Sequence, residues 1–231
     1  MKAVLFHRYA GCNDVDTGVR MPTAELDANV HNLCISELMG RLERFVSGEE
    51  GAQMYPWTTR FVMGYPLPAW QRPLVWTEGQ KVRFIQSLWA GVDVGSYMVN
   101  DVYEFVNLGR AGTHYREFSE VLLDGQQRLS ALEDYLYNRF AVPDAAGVLR
   151  YWKDLPRIER RRFGSLHFAK ATVKSWDERY LRKAYDLRSF GGTPHTEDQR
   201  ASVDINPFTL GDPEVISARV LDLLPKADPA C

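Results

Sequence analysis

Cysteine is scarce. Cys12, Cys34 and Cys231 are the only three in 231 residues, widely spaced and odd in number. They build neither a disulfide framework nor a Cys-x-x-Cys metal site. Long apolar runs are missing too: no stretch reaches the roughly 18–20 consecutive apolar residues that a membrane span needs. The four apolar residues after Lys2, Ala3 to Phe6, fall short of the about 7 of a secretory core. A cytoplasmic protein with no membrane partner is the expectation. Repeats and low-complexity tracts are absent. So are the G-x-x-x-x-G-K-[ST] and G-x-G-x-x-G nucleotide loops, the H-E-x-x-H zinc motif and the G-x-S-x-G nucleophile turn. His7, His31, His114, His167 and His195 show no metal-ligand spacing. What is present, 45% hydrophobic and 12% aromatic residues, is enough to bury a real core and excludes bulk disorder.

Neither sign of charge dominates, with 28 basic and 30 acidic side chains, but the balance is uneven along the chain. Residues 150–188 hold 12 Lys or Arg and 5 Asp or Glu, which leaves the remainder acidic. The densest part carries Arg157, Arg160, Arg161 and Arg162. Such a cluster can neutralise phosphates of a nucleic-acid backbone, contacts that position without reading sequence, or can be a solvated helix face. DNA is therefore a candidate partner through this region.

The spacing predicts helices between short strands, a mixed α/β plan. Thr23 can cap a helix carrying Leu26, Val30, Leu33, Leu38, Leu42 and Phe45, ending in the turn-rich stretch 47–51. Four prolines between Tyr55 and Trp76 favour extended chain. Thr77 with Gln80 three residues on predicts a capping box and a helix burying Val82, Ile85 and Leu88 or Trp89. A strand is expected across residues 97–106 and another at 120–123. A helix follows with Leu129, Leu132, Leu136 and Phe140 on one stripe. A strand at 166–173, a helix near 176–187 and a short helix at 214–224 complete the plan. The organisation read here is an accessory segment, 1–54, with one amphipathic helix, ahead of a main unit, 55–231.

Three constellations could carry chemistry. Residues 121–132 read VLLDGQQRLSAL, a strand, a tight turn and the start of a helix. A helix N-terminus with its unpaired N–H groups can hold an anion. Gly125 lets the main chain approach a ligand closely. Arg128 offers a planar fork for phosphate oxygens. Gln126 and Gln127 can orient a phosphate, a water or a base edge. Asp124 can hold Mg²⁺, orient water or cap the helix. In the second constellation, Gln71 and Arg72 lie in QRPLVW; Arg72, stiffened by Pro73, either meets a ligand or anchors aromatic neighbours. In the third, Gly191, Gly192 and Thr193 form either an anion-binding concavity or an ordinary helix C-cap.

In this order, QRP-x-VW, a strand ending in DGQQR-L-x-A-L and a glycine turn of the GGTPHT kind resemble the N-terminal domain of GmrSD-type and SspE-type DNA restriction proteins, in the ParB/sulfiredoxin-like superfamily. The likeness spans residues 66–200. It implies an α/β ParB-like core of short strands with surrounding helices. In that core Asp124, Gly125, Gln126, Gln127 and Arg128 bind a nucleotide phosphate and support its hydrolysis. Gln71 and Arg72 would face the same pocket or a DNA-related ligand, with Gly191, Gly192 and Thr193 as further nucleotide contacts. The cofactors implied are a nucleoside triphosphate and Mg²⁺, with Arg128 stabilising phosphate charge and Asp124 holding the metal or the attacking water. The nuclease domain with an HNH-like motif that such proteins carry has no counterpart in the 31 residues after Arg200, so cleavage within this chain is not expected. The leading expectation is thus a nucleoside triphosphatase in a restriction or phage-DNA setting. The alternatives are a nucleotide-gated DNA-binding switch without turnover, a DNA phosphotransferase or modification factor and, last, a nickase; a homo-oligomer is left open.

Overall fold

The computed structural model describes residues 26–48, 51–107 and 113–190. At its centre is a four-stranded sheet made of β1 (Asn29–Cys34), β4 (Tyr97–Asn100), β7 (Leu122–Asp124) and β10 (His167–Val173). The spatial order is β1-β10-β4-β7, with β1 antiparallel to β10, β10 parallel to β4 and β4 antiparallel to β7. Side chains alternate between the faces of a strand, and both faces of the central strands are apolar. Tyr97, Val99, Leu122 and Phe168 join the larger core with α1 (Ile35–Ser47), α2 (Glu78–Trp89) and α3 (Gln126–Leu136). Met98, Val121, Leu123, Ala171 and Val173 face the opposite way and pack with Leu181 and Ala184 of α5 (Glu178–Phe190). The architecture is α/β, as expected, with helices on both sides of the sheet. Three two-stranded ribbons, β2 (Phe61–Val62) with β3 (Tyr65–Pro66), β5 (Phe105–Asn107) with β6 (Thr113–Tyr115), and β8 (Val142–Pro143) with β9 (Leu149–Arg150), and a basic helix α4 (Arg157–Ser165) complete it.

Where local signals are strong, sequence and structure agree. Thr77 Oγ1 accepts the Gln80 N–H at 3.4 Å while Gln80 Oε1 accepts the Thr77 N–H at 2.8 Å, the reciprocal capping box that starts α2. Gly48, at φ 88°, closes α1 in the left-handed conformation that a Cβ disfavours.

The first helix is a correction. Residues 29–34 form β1 rather than the front half of one long helix. The helical spacing of Leu26, Val30 and Leu33 is deceptive, because Val30 is 62% exposed and buries no stripe. Six residues of β1 pair with β10, satisfying main-chain groups along an edge that would otherwise stand open. Residues 26–48 therefore supply a strand and a core helix to the same sheet as the rest. The expected strand at 97–106 is also divided. The Asn100 amide donates to the carbonyls of Phe118 and Ser175 and accepts from the Ser175 N–H, turning the chain out of the sheet before β5. Phe140, placed on the α3 stripe, lies beyond the helix end yet remains in the core. The expected helix at 214–224 lies outside the described residues. Among the described residues no helix is long and apolar enough to cross a membrane.

Arg41 ties α1 to the rest. Its guanidinium forms two bonds to the Glu120 carboxylate, at 2.9 and 3.2 Å, donates twice to the Gly64 carbonyl and lies 3.8 Å from the Tyr65 ring centre. Tyr55 donates its hydroxyl to the same carboxylate at 2.8 Å. Burial pushes the Glu120 carboxyl up, but Arg41 and the bonds from Arg41 and Tyr55 outweigh it and hold the group below the usual glutamate range. Arg41→Leu removes the ion pair and leaves the partly buried Glu120 carboxylate with only the Tyr55 hydroxyl, and is expected to cost about 3–5 kcal/mol in urea unfolding. A carboxyl whose folded pKa is depressed stabilises fully above its unfolded pKa, and that stabilisation disappears as pH falls through the folded value. Stability should therefore fall below the ordinary glutamate value of 4.5, and Glu120→Gln should flatten that acid limb.

Candidate functional site

The two central constellations of the sequence meet. Gly125, at φ 94°, turns the chain from β7 into α3. A Cβ there would lie 2.6 Å from Tyr97 Cβ and 3.0 Å from Tyr97 Cα. The close approach that demands glycine is thus to β4 of the same protein. Because the N-cap has no side chain to offer, the first-turn N–H groups of α3 carry no side-chain cap.

The QRPLVW segment lies across this turn, and glutamine side chains supply its hydrogen bonds. Gln71 Nε2 donates to the Leu123 carbonyl at 2.9 Å, and Gln126 Nε2 to the Arg72 carbonyl at 2.7 Å. Gln127 uses both ends of its amide: Nε2 donates to the Pro73 carbonyl at 3.0 Å, and Oε1 accepts the N–H groups of Val75 and Trp76 at 3.0 and 3.1 Å. Arg60 adds bonds to the carbonyls of Gln71 and Arg72. Gln71 Oε1 and Gln126 Oε1 are buried with no hydrogen-bond partner among the described residues.

A cavity of about 100 Å³ results, lined by Gln71, Arg72, Trp76, Tyr185 and the five residues Asp124 to Arg128. Arg128, 18% exposed, donates to the carbonyls of Val94 and Ser96 at 2.8 and 3.1 Å and to Asp124 Oδ2 at 3.1 Å. Arg188 of α5 donates to that same oxygen at 2.9 Å and to Ser96 through its carbonyl and its Oγ. One carboxylate thus serves two guanidiniums. Burial lowers the Arg128 pKa, Asp124 opposes that, and Arg188 adds to it. Arg72 is exposed, and its side chain has no hydrogen-bond or ion-pair partner among the described residues. The arrangement carries net positive charge at a helix N-terminus, which suits an anion.

It does not suit a metal held by the protein. The single carboxylate is already shared by two arginines, and among the described residues no group of three or more His, Cys, Asp or Glu could hold an ion. Asp124 is set by this geometry toward arginine pairing.

Residues 58–205 match the family model of the GmrSD restriction endonuclease, N-terminal domain, well over half of the chain. The chain belongs to this family. No curated protein and no solved structure matches it. Membership in the GmrSD N-terminal family ties the protein to restriction, and the matched stretch contains the whole DGQQR cavity.

The remaining expected site residues lie elsewhere. Gly191, Gly192 and Thr193 are outside the described residues. Arg157, Arg160, Arg161 and Arg162 are all exposed on α4 and line no part of this cavity. The sequence reading missed Ser96, Arg188 and Tyr185. Arg188 sits 64 residues from Asp124, and no local spacing announces the pair.

Gln127 cannot be exchanged for glutamate, which has no donor for Pro73, or for leucine, which has neither end. Net loss is about 1 kcal/mol per ordinary hydrogen bond. Gln127→Leu is therefore expected to destabilise by about 2 kcal/mol or more in urea unfolding, and Gln127→Glu to be worse at neutral pH than at pH 4.

Proposed function

We propose that this chain is a phosphate-sensing domain of a phage-defence restriction system, in which the DGQQR cavity receives a phosphoryl group of a nucleoside triphosphate. The observation that carries the reading is the charge of a small concavity. Arg72 and Arg128 line it against the one carboxylate of Asp124, which Arg188 also pairs from outside the lining, at a helix N-terminus without a side-chain cap. Its volume, about 100 Å³, lies below the roughly 300 Å³ at which pockets begin to enclose whole small ligands. It fits a phosphoryl group, with the nucleoside outside, beside Trp76 and Tyr185.

Roles follow from what each side chain has left to give. Arg72 has a guanidinium with no partner and is the primary contact. The first-turn N–H groups of α3 donate to phosphate oxygens. Arg128 and Arg188 supply fixed positive charge at close range, and an arriving anion relieves their mutual repulsion. Gln126 and Gln127 keep the QRPLVW segment in place and so hold Arg72 at the cavity mouth. This favours a nucleotide-gated switch, because Asp124 and Gln127 are both engaged within the protein. Turnover is the second reading. It is favoured by Asp124 Oδ1, which has no hydrogen-bond partner among the described residues and could orient a water. DNA would be the partner on which the restriction system acts, engaged through the arginines of α4.

Calorimetry with ATP, CTP, GTP and UTP in turn, and with inorganic phosphate as competitor, tests the assignment. At least one nucleotide should bind and phosphate should displace it. Arg72→Ala should weaken binding by about 10-fold or more, the scale of a hydrogen bond to a charged group, with unchanged unfolding. Binding by none of them, or equal binding by Arg72→Ala, overturns the proposal. Release of phosphate at a rate that Asp124→Asn abolishes selects hydrolysis over the switch.

A further inference from the structure

A second cavity, of about 600 Å³, opens between the end of α2, the end of α3, the β8–β9 ribbon and α4. It is six times the volume of the DGQQR cavity and within the range of pockets that enclose a small organic ligand. Its apolar walls are Trp89, Tyr135, Val142, Pro143, Leu155 and Pro156. The two rings belong to a packed aromatic cluster that holds this side in place. Tyr135 meets Trp152 and Phe163 edge-on, at 5.8 and 5.9 Å between centroids, and Phe163 meets Trp89 at 4.7 Å.

The charges of the lining do not cancel. Asp144, Asp154 and Glu159 stand against Arg150 and Arg162. Arg150 pairs with Asp144 at 2.9 Å and Arg162 with Glu159 at 3.0 Å, which leaves Asp154. Asp154 has no ion-pair partner among the described residues, and it accepts one side-chain hydrogen bond, from the Tyr151 N–H to Oδ2 at 3.0 Å. It ends the single turn Trp152–Asp154, whose Trp152 is the ring packed on Tyr135. Its charge reaches the aromatic wall: burial raises the Tyr135 hydroxyl, a hydrogen bond from Trp89 opposes that, and Asp154 raises it further.

An anion entering here would meet the surplus carboxylate, and a neutral apolar body would leave it unanswered. A cation answers it, and the wall already accommodates one, since the Arg162 guanidinium lies 5.4 Å from the Trp89 ring centre. Arg157, Arg160 and Arg161 lie outside the lining and supply no counter-charge within it. We propose that this cavity binds a small organic cation, an amine on an aromatic body, with the body against the apolar walls and the ammonium at the Asp154 carboxylate. The site shares no lining residue with the DGQQR cavity, and the inference does not depend on the phosphate reading.

Three probes with one indole body and different charge test it, by calorimetry on the full chain at neutral pH: tryptamine, a cation; tryptophol, neutral; and indole-3-acetate, an anion. Tryptamine should bind at least about 10-fold more tightly than tryptophol, the scale of a hydrogen bond to a charged group, and indole-3-acetate should bind most weakly. Asp154→Asn keeps an acceptor for the Tyr151 N–H. It should bring tryptamine down to the affinity of tryptophol and leave tryptophol unchanged. Ala145→Trp, which fills the cavity from an exposed turn, should abolish binding of both. Binding of none of the three probes, equal binding of tryptamine and tryptophol, or tightest binding of indole-3-acetate overturns the proposal on the wild-type chain alone. A tryptamine preference that survives Asp154→Asn overturns it as well.

Discussion

A proline-locked extended segment cannot bond to itself, and the structure depends on how that deficit is met. Residues 71–76 lie across the start of α3 with main-chain donors and acceptors that no neighbouring strand pairs. Side-chain amides take the place of that strand. Gln127 alone bonds three main-chain groups, and Gln71 and Gln126 tie the segment in both directions, one reaching the β7 carbonyl and the other reaching back from α3. An amide is the one side-chain group that donates and accepts from adjacent atoms without charge, which is why glutamine recurs here and carboxylates do not. The shape of the phosphate-sized cavity, and the position of Arg72 at its mouth, follow from this scaffold.

The charge of the cavity has a separate origin. Asp124 at the end of β7 collects Arg128 from one turn into α3 and Arg188 from α5, so the sheet edge, the helix start and the C-terminal described helix are fastened at one carboxylate oxygen. A single anionic group shared between two cations leaves positive charge unbalanced in a partly buried place, and burial together with Arg188 lowers the Arg128 pKa. The same fastening explains why the motif is poor in free catalytic groups. Residues that look chemically able in a sequence are, in the folded chain, largely occupied in holding one another.

What the sequence disclosed and what it hid divide along the range of the interaction. The capping box at Thr77 and the glycine end of α1 are decided within a few residues and are legible directly. The β7–Gly125–α3 turn was legible too, as was its meeting with QRPLVW, although the latter came through resemblance to a family rather than through spacing. The front of α1 was misread because Leu26, Val30 and Leu33 fall at helical intervals by chance, whereas the deciding fact is that β10 needs a partner from far away in the chain. Arg188 and Ser96 were invisible for the same reason: their roles exist only once α5 has docked. Gly125 was noticed for the right property, its missing side chain, and the neighbour it accommodates proved to be Tyr97. The arginines of α4 were legible as a charge run.

The order β1-β10-β4-β7 carries a consequence for assembly. The strand second in space is last in sequence, so both of its pairings wait for it: β1 must hold its place for more than a hundred residues before Thr172 can meet Asn29, and β4 waits likewise for Lys170 to meet Tyr97. Closing loops of that span costs chain entropy before any contact rewards it. The β4–β7 pair can form early and seed the rest. With its central pairings this distant in sequence, the chain should fold slowly compared with a helical domain of equal length.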